Sequence, residues 1–271
     1  MEAFLSYGFL VKALWMGMIG GATCGAIGVL VVLWRISFVG VCISHAAFAG
    51  ALIALWLGAP PLAGGLAGSL GAAAMIGPLA DRPTFSPDTA IGVIFSVMLS
   101  LAMLALGLLP GAKTEGLGLI WGSLLTVTTL DLWLMGGTAL LLLLFLWLFF
   151  KEIQATLGQR QAAMAAGIPV RAIYYASLTM LGLVVAIALK AIGGLLIYSL
   201  IVIPAVAALQ LTYRLATMFT IAALVGAVSS VIGLWLSFHL GIPTGTAIVL
   251  TAAALLLLVT LVSPKRHAMP S

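Results

Sequence analysis

The stretch ISFVGVCISHAAFAGALIALWL, residues 36–57, is apolar from end to end apart from a few small polar side chains and one histidine, His45, near its middle. It exceeds the roughly 18 residues that mark a helix able to cross a bilayer. An ionisable side chain at that depth is costly and points by default to function, usually on a substrate or ion pathway.

Runs of the same kind fill the rest of the chain. Hydrophobic residues make up 64% of the 271 and charged residues 6%, against roughly 45–50% and about 25% in soluble domains. The sequence predicts an all-α polytopic membrane protein with about nine transmembrane helices, at approximately 11–33, 37–57, 62–80, 89–109, 131–150, 172–189, 192–212, 218–239 and 246–262. Short connecting helices are expected on both sides. Residues 1–271 read as a single transmembrane domain. Glu2 and Lys12 flank a weakly apolar start that lacks a cleavable signal pattern. Cys24 and Cys42 both fall inside spans, which argues against a disulfide.

Orientation follows from lysine and arginine, which are enriched in cytoplasmic loops. With the N-terminus outside, Arg35, Arg82, Lys151, Arg160, Arg171, Arg214, Lys265 and Arg266 fall inside, and only Lys12, Lys113 and Lys190 fall at or toward the outer face. The expectation is therefore N-terminus out and C-terminus in. This asymmetry accounts for the net charge of +5 without a nucleic-acid partner.

Three connections carry more than a turn. Residues 110–130 form an outer loop whose apolar stretch Leu117–Leu125 is too short to span, so it reads as a surface or re-entrant helix. Thr128, Thr129 and Asp131 supply cap chemistry for the next span. Residues 151–171 form the longest inner connection, with a helical stretch from Gln159 to Ala166 stopped by Gly167 and Pro169. Gly241-Ile242-Pro243-Thr244-Gly245 is a tight outer turn. Gly17, Gly20, Gly21, Gly25 and Gly28 stack along the first span, as helix packing in a membrane favours. No Walker motif is present.

The sharpest chemical cluster is Cys42, Ser44 and His45. Cys42 and His45 are three apart and share a helix face, and a thiolate with an imidazole suits zinc or another borderline divalent ion. The bland alternatives are a His45 ring bonded to a neighbouring carbonyl and a Cys42 that merely fills space. Depth favours function for His45, and filler is favoured for Cys42. Ser44 and His45 cannot form a hydrolytic dyad, since adjacent helical positions point about 100° apart. Asp88 opens the fourth span, where a cap is the ordinary role. Lys190 reads as a snorkelling side chain and His239 as an interfacial histidine.

Taken in order, several motifs resemble the ABC-3, or zinc/manganese-uptake, permease family. They are Gly40…Ser44-His45-Ala46 with Gly50, Asp88-Thr89-Ala90-Ile91-Gly92, and Trp121-Gly122-Ser123-Leu124-Leu125-Thr126-Val127-Thr128 with Asp131-Leu132. Ala166-Gly167-Ile168-Pro169-Val170, Lys190-Ala191-Ile192-Gly193 with Ile203-Pro204-Ala205, and Ile242-Pro243-Thr244-Gly245 complete the set. The resemblance runs from about Ala13 to Leu261. It implies a permease that works as a pair, most simply a homodimer, with a cytoplasmic ABC ATPase and an extracytoplasmic metal-binding protein, in the inner membrane of a bacterium. The 151–171 connection, with Gln159, Arg160 and Gly167, would then be the coupling segment that rests on the ATPase. His45 would lie on the translocation pathway, with Cys42, Ser44 and Asp88 as further pathway candidates.

Three places in the chain depart from the family pattern. The family has aspartate where this chain has Val41, commonly an acid where Gly241 stands, and acids in the coupling segment where Gln159, Arg160 and Gln161 stand. Loss of oxygen ligands tilts the expected cargo from manganese toward zinc. The sequence expectation is thus a divalent-metal importer permease, zinc first, with manganese, iron or a metal chelate as the alternative. The permease would perform no chemistry of its own, and no resident cofactor is expected. A different class stays open: a secondary transporter, an intramembrane enzyme or a non-transporting scaffold. A proton-coupled carrier would need paired intramembrane carboxylates, and a metalloprotease His-Glu-x-x-His; neither is seen.

Overall fold

The computed structural model describes residues 8–80, 86–108, 116, 118–119, 122–194 and 196–263. Eleven α-helices and one 3-10 turn, Leu124–Thr126, account for the regular structure of these residues. The α-helices are α1 (Gly8–Leu33), α2 (Val39–Trp56), α3 (Pro61–Ala80), α4 (Pro87–Leu108), α5 (Thr129–Leu148), α6 (Phe150–Gly158), α7 (Arg160–Ala165), α8 (Val170–Ile192), α9 (Ile197–Leu211), α10 (Leu215–Leu240) and α11 (Thr244–Val262). No strand occurs among the described residues. Only helices or closed barrels satisfy the backbone inside a bilayer, and the sequence has the apolar runs of the former. Eight of the helices are long and apolar enough to cross a membrane.

The ninth expected span is shorter than the others. α9 has 15 residues, about 22 Å at 1.5 Å per residue, against a hydrocarbon core of about 30 Å. Expected at 192–212, it loses its start because Ile192 still belongs to α8 and Gly193 turns the chain with φ +95°. A shortened helix is tolerated because α9 is enclosed by protein: it packs on α1, α10 and α11, with Ile197, Leu200, Ile201, Pro204, Ala205, Ala207 and Ala208 buried.

Two seams organise the bundle. In the first, α10 lies on α1 with Gly226 against Gly21 and Ala222 against Gly25, so close that an added Cβ would strike the opposing backbone. In the second, α3 lies on α2 with Gly64 against Gly50 and Gly68 against Ala46. Small residues permit this approach, and van der Waals contact between the backbones is what holds membrane helices together. α8 packs on α3, α2 and α1, and so links the two seams. The glycine stripe expected on the first span thus serves packing, with Gly28 meeting Ile201 of α9 and Gly17 meeting Ser230 of α10. Leucine and tryptophan side chains face outward, most densely on α5, where Leu130, Trp133, Leu140, Leu143 and Trp147 are exposed.

The connections sort to two ends. Trp34 and Ile36 from the α1–α2 corner, Ala80, Pro87, and Thr156 and Arg160 from the α6–α7 segment line one crevice of about 90 Å³. This is the α6–α7 end. At the distal end, the α2–α3 turn, the segment before α5 and the end of α8 surround a much larger cavity.

Candidate functional site

His45 sits in the body of α2, seven residues after the helix begins at Val39 if both are counted. Its Nδ1 lies 2.9 Å from the carbonyl oxygen of Val41, one turn back. A carbonyl only accepts, so Nδ1 donates and the lone pair of the neutral ring is on Nε2. Bonding of one ring nitrogen to a backbone carbonyl fixes the tautomer and orients the ring, the arrangement seen in histidines that bind metal through the other nitrogen. The ring is packed edge-on against Phe95 of α4, with centroids 5.1 Å apart and planes at 81°. Phe38, just before α2, meets the same Phe95 at 5.1 Å.

The two neighbours of His45 behave differently. Ser44 is buried and donates its Oγ to the same Val41 carbonyl at 2.9 Å. Cys42 is wholly buried with a free thiol among the core side chains, as is Cys24 on α1. Among the described residues no three His, Cys, Asp or Glu side chains come together as a metal-holding group. One chain therefore offers one oriented nitrogen at this level, and any ion held there needs further donors.

Asp88 is exposed in the first turn of α4, at the α6–α7 end and seven residues before Phe95. It is not the cap. Ser86 performs that role, its Oγ accepting from the Thr89 N–H at 3.1 Å, while Asp88 places negative charge near the positive end of the helix dipole. Its neighbour Pro87 lines the crevice that also holds Arg160, which places the start of α4 at the α6–α7 end.

That segment is built as expected at its end. Gln159 is the extended residue that breaks α6 from α7. Gly167, at φ +81°, closes α7 with two bonds of a Schellman motif: Ile168 N–H to Ala163 and Gly167 N–H to Met164. α6 itself is the element the sequence does not reveal, and Ile153 pins it by burying completely.

The distal cavity holds what was missed. It measures about 840 Å³ and is lined by Ala51 and Leu55 of α2, Pro60–Leu62, Leu119, Ser123, Thr126 and Thr128, Asp131 of α5, and Leu189 and Lys190 of α8. Asp131 and Thr128 form a full capping box at the start of α5. Lys190 does not snorkel alone: its Nζ donates to Asp131 Oδ2 at 2.9 Å. The pair is separated by 59 residues in sequence, so no local pattern announces it.

A model of the ABC 3 transport family matches residues 6–263. The chain belongs to the ABC 3 transport family. It is 31% identical over 265 residues to the manganese transport system membrane protein MntC of Halalkalibacterium halodurans, covering 98% of this chain and 91% of that protein. It is 28% identical over 252 residues to the chelated iron transport system membrane protein YfeD of Yersinia pestis, covering 92% and 83%. Among solved structures, that of PsaBC from Streptococcus pneumoniae in complex with Fab superposes with a TM-score of 0.88 at 30% identity, covering 98% of this chain and 96% of that one. The resemblance read from the motifs holds along nearly the whole chain. These ABC 3 relatives are named for manganese and chelated iron, so the preference for zinc finds no support in them.

Proposed function

We propose that this chain is the permease subunit of a bacterial ABC importer for a divalent metal, manganese or iron ahead of zinc. The observation that carries the reading is its full-length likeness to a manganese transport system membrane protein at 31% identity. His45 supplies the supporting chemistry: a midspan imidazole with one nitrogen committed to the backbone, which leaves the lone pair on the other. A single donor per chain agrees with a paired permease, in which a second copy brings a second His45 to the same axis. Cys42, buried and free, is the weaker ligand candidate.

In this reading the α6–α7 end is cytoplasmic, because Arg35, Lys151, Arg160, Arg171 and Arg214 lie there among the described residues. Arg82, Lys113, Lys265 and Arg266, part of the same asymmetry, lie outside the described residues. The distal cavity then faces the extracytoplasmic binding protein, and α6–α7 meets the ATPase. The residues at that end, Gln159, Arg160 and Gly167, transmit its motion.

The test is uptake by vesicles holding the permease with its ATPase and binding protein, offered manganese, ferrous iron and zinc in turn. ATP-dependent uptake of manganese or iron over zinc is expected. Preferred uptake of zinc would overturn the cargo order. No uptake of any of the three by a complex that hydrolyses ATP would overturn the metal reading.

A further inference from the structure

We propose that Lys190 is a positioning residue for cargo admission: its ion pair with Asp131 fastens the segment Gly122–Thr128 across the distal cavity, and transport requires that pair to part. The inference rests on the importer reading for its direction, but the fastening itself is a matter of geometry.

A single oxygen, Asp131 Oδ2, receives three donors. They are the Thr128 N–H at 2.8 Å, the Thr128 hydroxyl at 2.8 Å and the Lys190 ammonium at 2.9 Å. The last residue of the segment and the last turn of α8 thus meet at one atom. The other end of the segment is held by the backbone of the same lysine, whose carbonyl accepts from the Ser123 N–H at 3.1 Å. Gly122 is packed against Gly193 just beyond, with no room for a Cβ. Gly194 N–H donates to Leu119 at 3.1 Å. Lys190 therefore grips the segment twice, once through main chain and once through side chain.

What the grip closes is the cavity of about 840 Å³, since Ser123, Thr126, Thr128, Asp131 and Lys190 line one side of it. The facing side carries Ala51 and Leu55 of α2, six and ten residues along the helix from His45. The two helices joined by the pair, α5 and α8, are also the two that flank α6–α7 at the opposite end. A change in their splay at one end is felt at the pair.

The chemistry suits a fastening that opens. Lys190 is 47% and Asp131 18% exposed, and partly exposed ion pairs are weak enough to break and re-form. The backbone bonds and the capping box persist when it opens, so the segment hinges and does not unfold.

The complex with ATPase and binding protein would be prepared as Lys190→Met, Asp131→Asn, the double variant and Lys190→Arg. Asparagine keeps an oxygen for the Thr128 cap while removing the charge. In each background Ser123→Cys is labelled with a membrane-impermeant maleimide, the native cysteines being buried. Labelling five-fold or more faster in both single variants is expected, with several-fold more ATP hydrolysed per ion. Arginine should return both within two-fold of native, and the double variant should equal the singles, as coupled partners do. Native labelling rates and native ATP per ion in Lys190→Met and Asp131→Asn would overturn the proposal. The labelling needs no cargo: faster labelling in the variants, when the complex that keeps Lys190 and Asp131 itself moves no metal, would sustain the fastening and overturn the importer reading instead.

Discussion

The carbonyl of Val41 accepts from both Ser44 and His45, so one of the residues read as departing from the resembled pattern is also the one whose backbone orients the imidazole. His45→Ala removes the only histidine in α2. Metal uptake should fall at least ten-fold while the complex still assembles; normal uptake by the assembled variant would remove His45 from the pathway. Val41→Asp adds a carboxylate one turn before His45 on the same face. Manganese, which favours oxygen donors, should then bind more tightly to the variant, with a several-fold drop in apparent Kd in a titration. Much of this level is legible in the sequence, because the position of a histidine within an apolar run needs no tertiary knowledge. Lys190 is the counter-example. Its position near a span end gives it the look of a headgroup-seeking side chain, and only helix register brings it to Asp131. Ser86 is a milder case, since Ser86 and Asp88 are both fit to cap a helix and the backbone selects the first.

Among the elements, the α6–α7 connection is the one whose integrity should show in energy use. Ile153 is fully buried on α6, a helix that packs against α5 and α8, and truncation to alanine at such a site costs about 2–4 kcal/mol. The Ile153→Ala complex should hydrolyse ATP at the native rate or faster while moving fewer ions per ATP; an unchanged ratio would mean that α6 does not transmit. Gly167→Ala is a gentler probe. Nothing lies within 4 Å of the position a Cβ would take, so the penalty is the left-handed backbone alone, about 1 kcal/mol, read as a small fall in thermal stability. The sequence shows where α7 ends, because glycine followed by proline is a local signal. It hides where α5 ends, because Phe145, Phe149 and Phe150 carry the apolar character past the kink at Phe149. α9 is overestimated for the same reason: Gly193 and Gly194 are apolar in hydropathy, yet they turn the chain.

Over the whole molecule, nine helices occupy the nine stretches expected to cross the membrane, and the sidedness assigned to them can be tested directly. Both native cysteines are buried, so single cysteines report cleanly. Ala59→Cys, exposed in the α2–α3 turn, should react with an impermeant maleimide added to intact cells. Gln159→Cys, exposed between α6 and α7, should react only after the cells are opened; the reverse result would invert the topology. The class of fold is legible because it follows from bulk composition along the chain. The pairing of helices is not, since a glycine stripe says that something packs there without saying what. The seams that answer the question, Gly21 on Gly226 and Gly50 on Gly64, are joints in which main chain rests on main chain. Such joints leave no side chain to adjust, and so no route to compensation by a neighbour. In a library of every single substitution, α5 would accept one large apolar residue for another along most of its outward face, whereas α1, at Gly21, Gly25 and Gly28, and α3, at Gly64 and Gly68, would each carry a narrow stripe that refuses even alanine. Read as heredity, these two stripes set how far descendants of this chain can drift while keeping its shape.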